Sequence, residues 1–116
     1  MIDAPDLRVS PPRRGRELLG GYAFLARMID KIRAMHAGTI GDYDGYCEMS
    51  LAFLQKTGID KDSFDALIMR GAPDEVVVRF FDAHVTLAQK AAANDHMLVH
   101  FATKLEEQEA AEQRSA

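Results

Sequence analysis

Acidic and basic side chains cluster within about one helical turn near residue 30, where Arg27, Asp30 and Lys31 follow one another closely. On a helix, Asp30 can pair with Arg27 three residues before it and with Arg33 three residues after it. Such pairs contribute only about 0.2–0.5 kcal/mol each when they are exposed to solvent. One interpretation of this cluster is therefore a solvated helix face that carries weak ion pairs.

A polar pocket is the alternative interpretation of the same cluster. Four alanines between positions 23 and 37 make this face small as well as charged, so another segment can pack closely against it. A loop containing Asp42 and Tyr43 follows, and the planar guanidinium of Arg27 suits a carboxylate or a phosphate, which it binds through two parallel hydrogen bonds. The candidate ligand-binding residues are then Arg27, Asp30, Lys31, Asp42, Tyr43 and Cys47.

Cys47 is the only cysteine of the chain, which excludes an internal disulfide. A thiol becomes a good nucleophile beside a histidine or at a helix N-terminus, and a predicted helix begins just after Cys47. The plainer interpretation is a small, half-buried apolar residue. The sequence alone leaves both interpretations open.

His96 and His100 are the only candidates for metal ligands, and they are weak ones. Their four-residue spacing places two imidazoles on one helix face. The three residues between them lack the glutamate of a zinc protease, and a third ligand would have to come from elsewhere in the chain. We therefore predict no metal site and no cofactor.

The spacing of apolar residues predicts a helix that contains Arg27, Asp30 and Lys31. Apolar residues recur every three or four positions over 18–37, which predicts an amphipathic helix that ends at Gly38. His36 lies in its apolar arc, where we expect a buried neutral imidazole bonded to a backbone carbonyl. Gly20 and Gly21 form either the turn into this helix or a point where another backbone approaches closely.

The same spacing predicts further helices over 50–57 and 61–70, the second capped by Asp60. Pro73 fits the first turn of the next helix. The last third is predicted to form two helices broken near Asn94, because the apolar residues after it lie off the phase of those before it. No strand pair with a hairpin turn is visible, so the predicted fold class is all-α, with about five helices in a compact single-domain bundle.

Composition supports one globular domain, since the chain has 116 residues of which 47% are hydrophobic. Prolines favour an extended N-terminal arm over 1–17, followed by a helical domain over 18–105. Residues 106–116 contain helix formers but little to bury, which predicts a fraying helical tail. The acidic N-terminus does not fit a secretory signal and no apolar run reaches the length of a membrane span, so we expect a cytoplasmic protein.

The net charge of −4 argues against nucleic-acid binding, which requires a strongly basic face. Half of the 14 basic residues lie within residues 1–36, where they form a basic arm on an acidic body. This arm could fold back on its own domain or dock a neighbouring subunit. We expect no nucleic-acid or membrane partner, and we keep a protein partner, a second copy of the chain and a small anionic ligand as open possibilities.

Several short motifs occur in a recognisable order along the first two thirds of the chain. They are Arg27-Met28-Ile29-Asp30-Lys31, then Gly38-Thr39-Ile40-Gly41-Asp42-Tyr43, then Phe53-Leu54 and Gly58-Ile59-Asp60. Over roughly residues 11–78 the sequence resembles the bacterial domain-of-unknown-function family 5069, which implies a compact helical bacterial protein and no particular activity. It departs from the family pattern at Cys47-Glu48-Met49-Ser50, where a polar-Cys-Pro-acid run is expected, and it lacks a late tryptophan.

Two classes of function follow from these observations. The first is a binding or interaction module for a partner protein, a second copy of the chain or a small anionic ligand. The second is a small enzyme whose polar site is built from the first helix and the following glycine-rich loop, with Cys47 or His36 nearby. The loop glycines are not those of a phosphate loop, because the Gly-Lys-Ser/Thr sequence is missing. Burial of the charged cluster is the property that separates a ligand site from an exposed interaction surface.

Overall fold

The computed structural model describes residues 4–112, which form six α-helices. They are α1 (Leu25–Ala37), α2 (Glu48–Thr57), α3 (Lys61–Met69), α4 (Asp74–His84), α5 (Leu87–Asp95) and α6 (Ala102–Ala111), with a π-helical turn (His96–His100) before the last. The one β-type pairing among the described residues is an isolated bridge between Leu19 and Tyr22. The predicted all-α fold class is confirmed. Across residues 4–112, every helix is too short or too polar to cross a membrane.

An aromatic cluster forms the centre of the core. The ring of Phe81 on α4 lies with its centroid 5.4 Å from that of Tyr22, 5.8 Å from that of Phe53 and 6.1 Å from that of Phe64. These rings come from the turn before α1 and from α2, α3 and α4, so they join most of the helices into one unit. The apolar side of α1 packs against this cluster.

The first two turns of α1 are buried on all sides rather than on one face. Every residue from Leu25 to Ile32 is buried, including the charged ones. The apolar side faces the aromatic core, and the polar side is covered by the N-terminal arm and by the end of α6. The interpretation of the polar side as a solvated face is therefore wrong.

The start of α1 differs from the prediction, since the helix begins at Leu25 and not at residue 18. Gly20 and Gly21 have positive φ angles of 60° and 82°, and Phe24 has one of 73°, so three residues are left-handed before the helix begins. A Cβ at Gly20 would also overlap a methyl of Val78 on α4. The glycine pair thus forms the turn into the helix, and Gly20 also permits close packing of α4.

The last third is not broken where the prediction placed the break. The chain breaks between α4 and α5, where Thr86 and Gln89 form a capping box, and it passes Asn94 without interruption. The side chain of Asn94 instead accepts a hydrogen bond from Ala23 N and donates one to Gly21 O, at 2.9 Å and 2.8 Å. Asn94 therefore holds the turn before α1 rather than capping a helix.

The π-helical turn explains why the periodicity suggested a break near residue 94. A π-turn holds more residues than an α-turn and rotates the following helix relative to the preceding one. The side chains of Ala93, Met97, Phe101 and Leu105 are all buried at a spacing of four residues. In a regular α-helix, side chains spaced four residues apart would rotate progressively away from the core. The π-turn reverses part of this rotation and keeps these four side chains facing the core.

The middle helices agree closely with the sequence. Asp60 caps α3, because its carboxylate accepts a hydrogen bond from Ser63 N at 3.0 Å. Pro73 is the residue just before α4. His36 does not match its prediction: it lies at the surface near the end of α1, with Nε2 3.0 Å from Asp65 Oδ1, since α1 has emerged from the core by that point.

Candidate functional site

A cleft of about 380 Å³ opens between α1, the loop after it and the end of α6. Its lining residues are Arg27, Lys31, Asp42, Tyr43, Asp44, Cys47, Gln108, Ala111 and Glu112. Five of the six candidate residues from the sequence therefore meet in one place. Asp30 lies elsewhere, and the acidic and amide groups from α6 and its C-terminal end were not expected.

Arg27 and Glu112 form the central contact of the cleft. The guanidinium donates from Nη1 and Nη2 to the two carboxylate oxygens of Glu112, at 3.1 Å and 2.6 Å. The side chains are only 3% and 8% exposed. The hydroxyl of Tyr43 donates to the same carboxylate at 3.1 Å, and the Tyr43 ring lies 5.7 Å from the guanidinium carbon. This is a forked recognition of a carboxylate inside the protein.

Glu112 could not be found from local sequence patterns, because it lies 85 residues away from its partner. A fraying tail is predicted over residues 106–116, whereas α6 is regular to Ala111 and the next residue closes the cleft. Residues 113–116 of the expected tail lie outside the described residues. No pattern in the sequence identifies Glu112 as this partner, because the burial of Arg27 that calls for an anion is visible only in the structure.

Lys31 extends into the cleft one helical turn beyond Arg27 and is itself 3% exposed. Its ammonium donates to the carbonyl oxygen of Asp44 at 2.9 Å and to Cys47 Sγ at 3.2 Å. Burial lowers the pKa of Lys31 from its usual value, although the nearby Cys47 and Asp44 oppose this shift. Among the described residues, no carboxylate forms a salt bridge with this ammonium.

Two polar atoms in the cleft walls are buried without a hydrogen-bond partner among the described residues. They are Nε of Arg27, a donor, and Oε1 of Gln108, an acceptor. Buried polar atoms of folded proteins are almost always hydrogen-bonded to protein or water. Both atoms belong to residues that line the cleft.

Asp30 organises a different part of the structure, against the expectation that it lies in a pocket with Arg27. Its carboxylate accepts from the backbone N of Arg13 at 2.8 Å, and from Nε and Nη2 of the same residue at 3.1 Å and 3.0 Å. The Nη1 of Arg13 also donates to Asp74 at 2.8 Å, and Asp74 lies 3.1 Å from Arg33. The helix geometry directs Asp30 toward the N-terminal arm, so this ion-pair network ties the arm to α1 and α4.

The contribution of Asp74 to this network makes stability depend on pH. Burial alone would raise the pKa of the Asp74 carboxyl, but the guanidinium groups of Arg13 and Arg33 outweigh it and lower that pKa. A carboxyl whose pKa is lowered by folding stabilises the protein at pH values above its pKa in the unfolded chain, which is about 4. This contribution is lost as the pH falls below that value.

We therefore expect Asp74→Asn to lower the free energy of unfolding by about 1 kcal/mol at neutral pH, and by progressively less as the pH falls below about 4. Urea unfolding of both proteins across this range measures the difference. Asp62→Asn is the control, because Asp62 is exposed on α3. A difference that stays constant from neutral to acidic pH would contradict the assigned role of Asp74.

The two candidate metal ligands are stacked on one another. The rings of His96 and His100 lie 4.4 Å apart and within 8° of parallel. Burial, followed by repulsion from His100, lowers the pKa of His96. No group of three histidine, cysteine or acidic residues within residues 4–112 is arranged to hold a metal ion.

Comparison with known sequences identifies the family. The profile of the family described as "Domain of unknown function (DUF5069)" matches residues 9–116. The chain belongs to the DUF5069 family. A comparison with curated proteins gives no match.

The DUF5069 match covers nearly the whole chain, whereas the motifs noted in the sequence covered its first two thirds. The extension matters for the cleft, because it includes the α6 side as well as the α1 side. Gln108 and Glu112 therefore lie within the same DUF5069 domain as Arg27 and Lys31.

Proposed function

We propose that the cleft binds a small carboxylate ligand, which Arg27 recognises through its guanidinium fork. The observation that carries this proposal is the Glu112 carboxylate, which occupies the fork with hydrogen bonds of 3.1 Å and 2.6 Å and accepts a third from Tyr43. A ligand carboxylate in the same position would make the same three contacts. Glu112 is, on this proposal, an internal occupant of the ligand site.

The position of Glu112 supports an exchange of this kind. It is the C-cap residue of α6, where the partial negative charge of the helix end disfavours a carboxylate. Helix propensity and capping therefore do not explain an acid at this position, and the contact with Arg27 does. The last turn of a helix also opens at low cost, so Glu112 can leave the fork without disturbing α1.

Electrostatics favour an anion over a neutral ligand. Arg27 and Lys31 are two cations on adjacent turns of one buried helix, and Glu112 is the carboxylate that neutralises the first of them. Charged hydrogen bonds are stronger when water is excluded. A ligand with a second acidic group could also satisfy Lys31, so a dicarboxylate suits the cleft better than a monocarboxylate.

The size of the cleft limits the ligand to a small molecule. A volume of about 380 Å³ lies near the lower end of the range for small-molecule sites, about 300–1,000 Å³. Asp42 lines the cleft from the exposed loop and disfavours a highly charged anion. We therefore favour a compact carboxylic acid over a polyphosphate.

A small enzyme that uses the same cleft is the second candidate. The observation that favours it is the thiol of Cys47, a nucleophilic group that lies 3.2 Å from the Lys31 ammonium within the cleft. In such an enzyme Arg27 would orient the substrate through its carboxylate and the thiol would attack it.

Titration with succinate tests the binding proposal, with the neutral diamide of succinate as the matched control ligand. We expect Glu112→Gln to lower the succinate Kd at least about tenfold, because the internal carboxylate no longer competes for the fork. We expect Arg27→Lys to raise the Kd by a similar factor, since an ammonium cannot make the forked contact. Calorimetry at low ionic strength measures both constants.

Glu109→Gln is the matched control variant, because Glu109 lies on the same helix but pairs with Arg16 outside the cleft. It should leave the Kd unchanged. Equal succinate affinity in wild type, Glu112→Gln and Arg27→Lys would reject the proposal, and so would equal affinity for the diamide.

A further inference from the structure

Cys47 combines three features of a reactive cysteine, and they come from different parts of the fold. Its sulfur lies 3.2 Å from the ammonium of Lys31 on α1. Cys47 is also the N-cap residue of α2, and its side chain lines the cleft. A cation and a helix N-terminus both stabilise a thiolate, and the cleft gives small molecules access to it.

The buried ammonium of Lys31 strengthens this assignment. A desolvated ammonium is costly unless an anion compensates it, and the sulfur of Cys47 is the one ionisable group to which Lys31 donates a hydrogen bond in the described structure. Burial alone would raise the pKa of the Cys47 thiol, but Lys31 and the contacts with Ser50 outweigh it and lower that pKa. The geometry therefore favours an ammonium–thiolate pair.

Two further polar atoms, in residues that line the same cleft, are buried without a partner within residues 4–112. Nε of Arg27, a residue that is 3% exposed, has no hydrogen-bond partner among the described residues, and neither does the buried Oε1 of Gln108. Both residues share the cleft with Cys47. The chain also holds no second cysteine, so any disulfide of Cys47 must form with a thiol from outside the chain.

We propose that Cys47 is a thiol-exchange site for small disulfides that carry a carboxylate. The thiolate reaction stands on the Cys47–Lys31 geometry, whereas the preference for a carboxylate rests on the proposed function, in which Arg27 binds that group. The product is a mixed disulfide between Cys47 and half of the attacked molecule.

The exchange needs no reagent other than the disulfide itself. The Cys47 thiolate attacks one sulfur, a new S–S bond forms to Sγ, and the original S–S bond breaks with its electron pair on the leaving sulfur. Cys47 is thereby oxidised and the leaving half is reduced to a thiolate, which takes a proton from water. A small thiolate reverses the step by attacking the other sulfur of the mixed disulfide, which releases the Cys47 thiolate and forms a small disulfide again.

Two chromogenic disulfides test the proposal on the full chain. Dithiobis(nitrobenzoate) carries a carboxylate on each ring, and dithiodipyridine carries none. The released thiolate is followed by absorbance as a function of pH, and Cys47→Ser supplies the blank because the chain has one cysteine. We expect the rate with dithiodipyridine to rise with pH to a plateau. The midpoint of this rise should lie at least about one pH unit below the pKa of a free thiol, which is near 8.5.

Variants of Lys31 test the source of this shift. Lys31→Met removes the ammonium at similar length and should move the midpoint upward by about one pH unit or more, whereas Lys31→Arg should keep it low. Circular dichroism checks that both variants are folded. The wild-type pH profile decides the thiolate assignment even if one of these variants fails to fold.

The ratio of the two rates tests the preference for a carboxylate. Glu112→Gln should raise the rate with dithiobis(nitrobenzoate) relative to dithiodipyridine at least about fivefold, and Arg27→Lys should lower this ratio. A wild-type midpoint near that of a free thiol overturns the inference even if succinate binds. A low midpoint supports the thiolate. If the ratio of the two rates is then the same in wild type, Glu112→Gln and Arg27→Lys, the carboxylate preference is overturned. The proposed function is rejected separately, by the absence of succinate binding.

Discussion

Asp30→Ala should lower the free energy of unfolding by about 3 kcal/mol, one of the two largest losses that we expect for a single substitution. The substitution removes a largely buried carboxylate with a side chain only 12% exposed, together with its three hydrogen bonds to Arg13. The guanidinium of Arg13 keeps Asp74 and is itself 29% exposed, so the loss lies at the lower end of the range for breaking a buried pair. Urea unfolding measures it.

A double-mutant cycle identifies the partner of Asp30. We expect a coupling energy of about 2 kcal/mol between Asp30→Ala and Arg13→Ala, and a value near zero between Asp30→Ala and Arg27→Ala. Glu107→Ala is the control for an exposed helical acid and should cost under about 0.5 kcal/mol. A large coupling to Arg27 instead would mean that Asp30 belongs to the cleft.

Glu112→Ala should destabilise the protein by about 2–3 kcal/mol, and added acetate should restore part of this loss. The substitution leaves the guanidinium of Arg27, which is 3% exposed, without its carboxylate partner. Arg27 lies on a central helix and cannot turn to solvent, so it keeps the full cost of desolvation until an anion enters the fork. Urea unfolding with increasing acetate, at constant ionic strength set by chloride, measures the recovery.

The double variant Arg27→Met/Glu112→Ala separates this recovery from a general effect of salt. With the guanidinium removed, acetate should no longer stabilise the protein by specific binding. The same response to acetate in the single and double variants would show that the ion acts elsewhere. Failure of Glu112→Ala to destabilise would mean that water satisfies Arg27 and that Glu112 is dispensable.

The local features of the chain could be predicted because neighbouring residues determine them. The Asp60 cap depends on a carboxylate that reaches an amide three residues later. The end of α1 depends on the left-handed conformation of Gly38, which has a φ of 75°. The grouping of Arg27, Lys31 and Tyr43 in one place also follows from a helix face and the loop that continues it.

The start of α1 and the continuity of the last third were not predictable in the same way. Leu18 fits the apolar arc of a longer helix, yet it is 58% exposed because the turn at Gly20 and Gly21 directs the chain away. Periodicity assumes 3.6 residues per turn throughout, so it interprets the π-turn at 96–100 as a break. In both cases contacts with a distant helix select the conformation.

The sequence by itself determined the helical class of the fold, the Asp60 cap, the glycine that ends α1 and the presence of two cations on adjacent turns of one helix face. Only the tertiary structure decided that this face is buried, and which acid pairs with which base. Asp30 meets Arg13 at a separation of 17 residues and Arg27 meets Glu112 at a separation of 85. A carboxylate can pair with any cation that folding brings near it, because Coulomb attraction has no dependence on distance along the chain. The N-terminal arm and the end of α6 contact α1 through these long-range pairs, so the cleft is a product of tertiary packing.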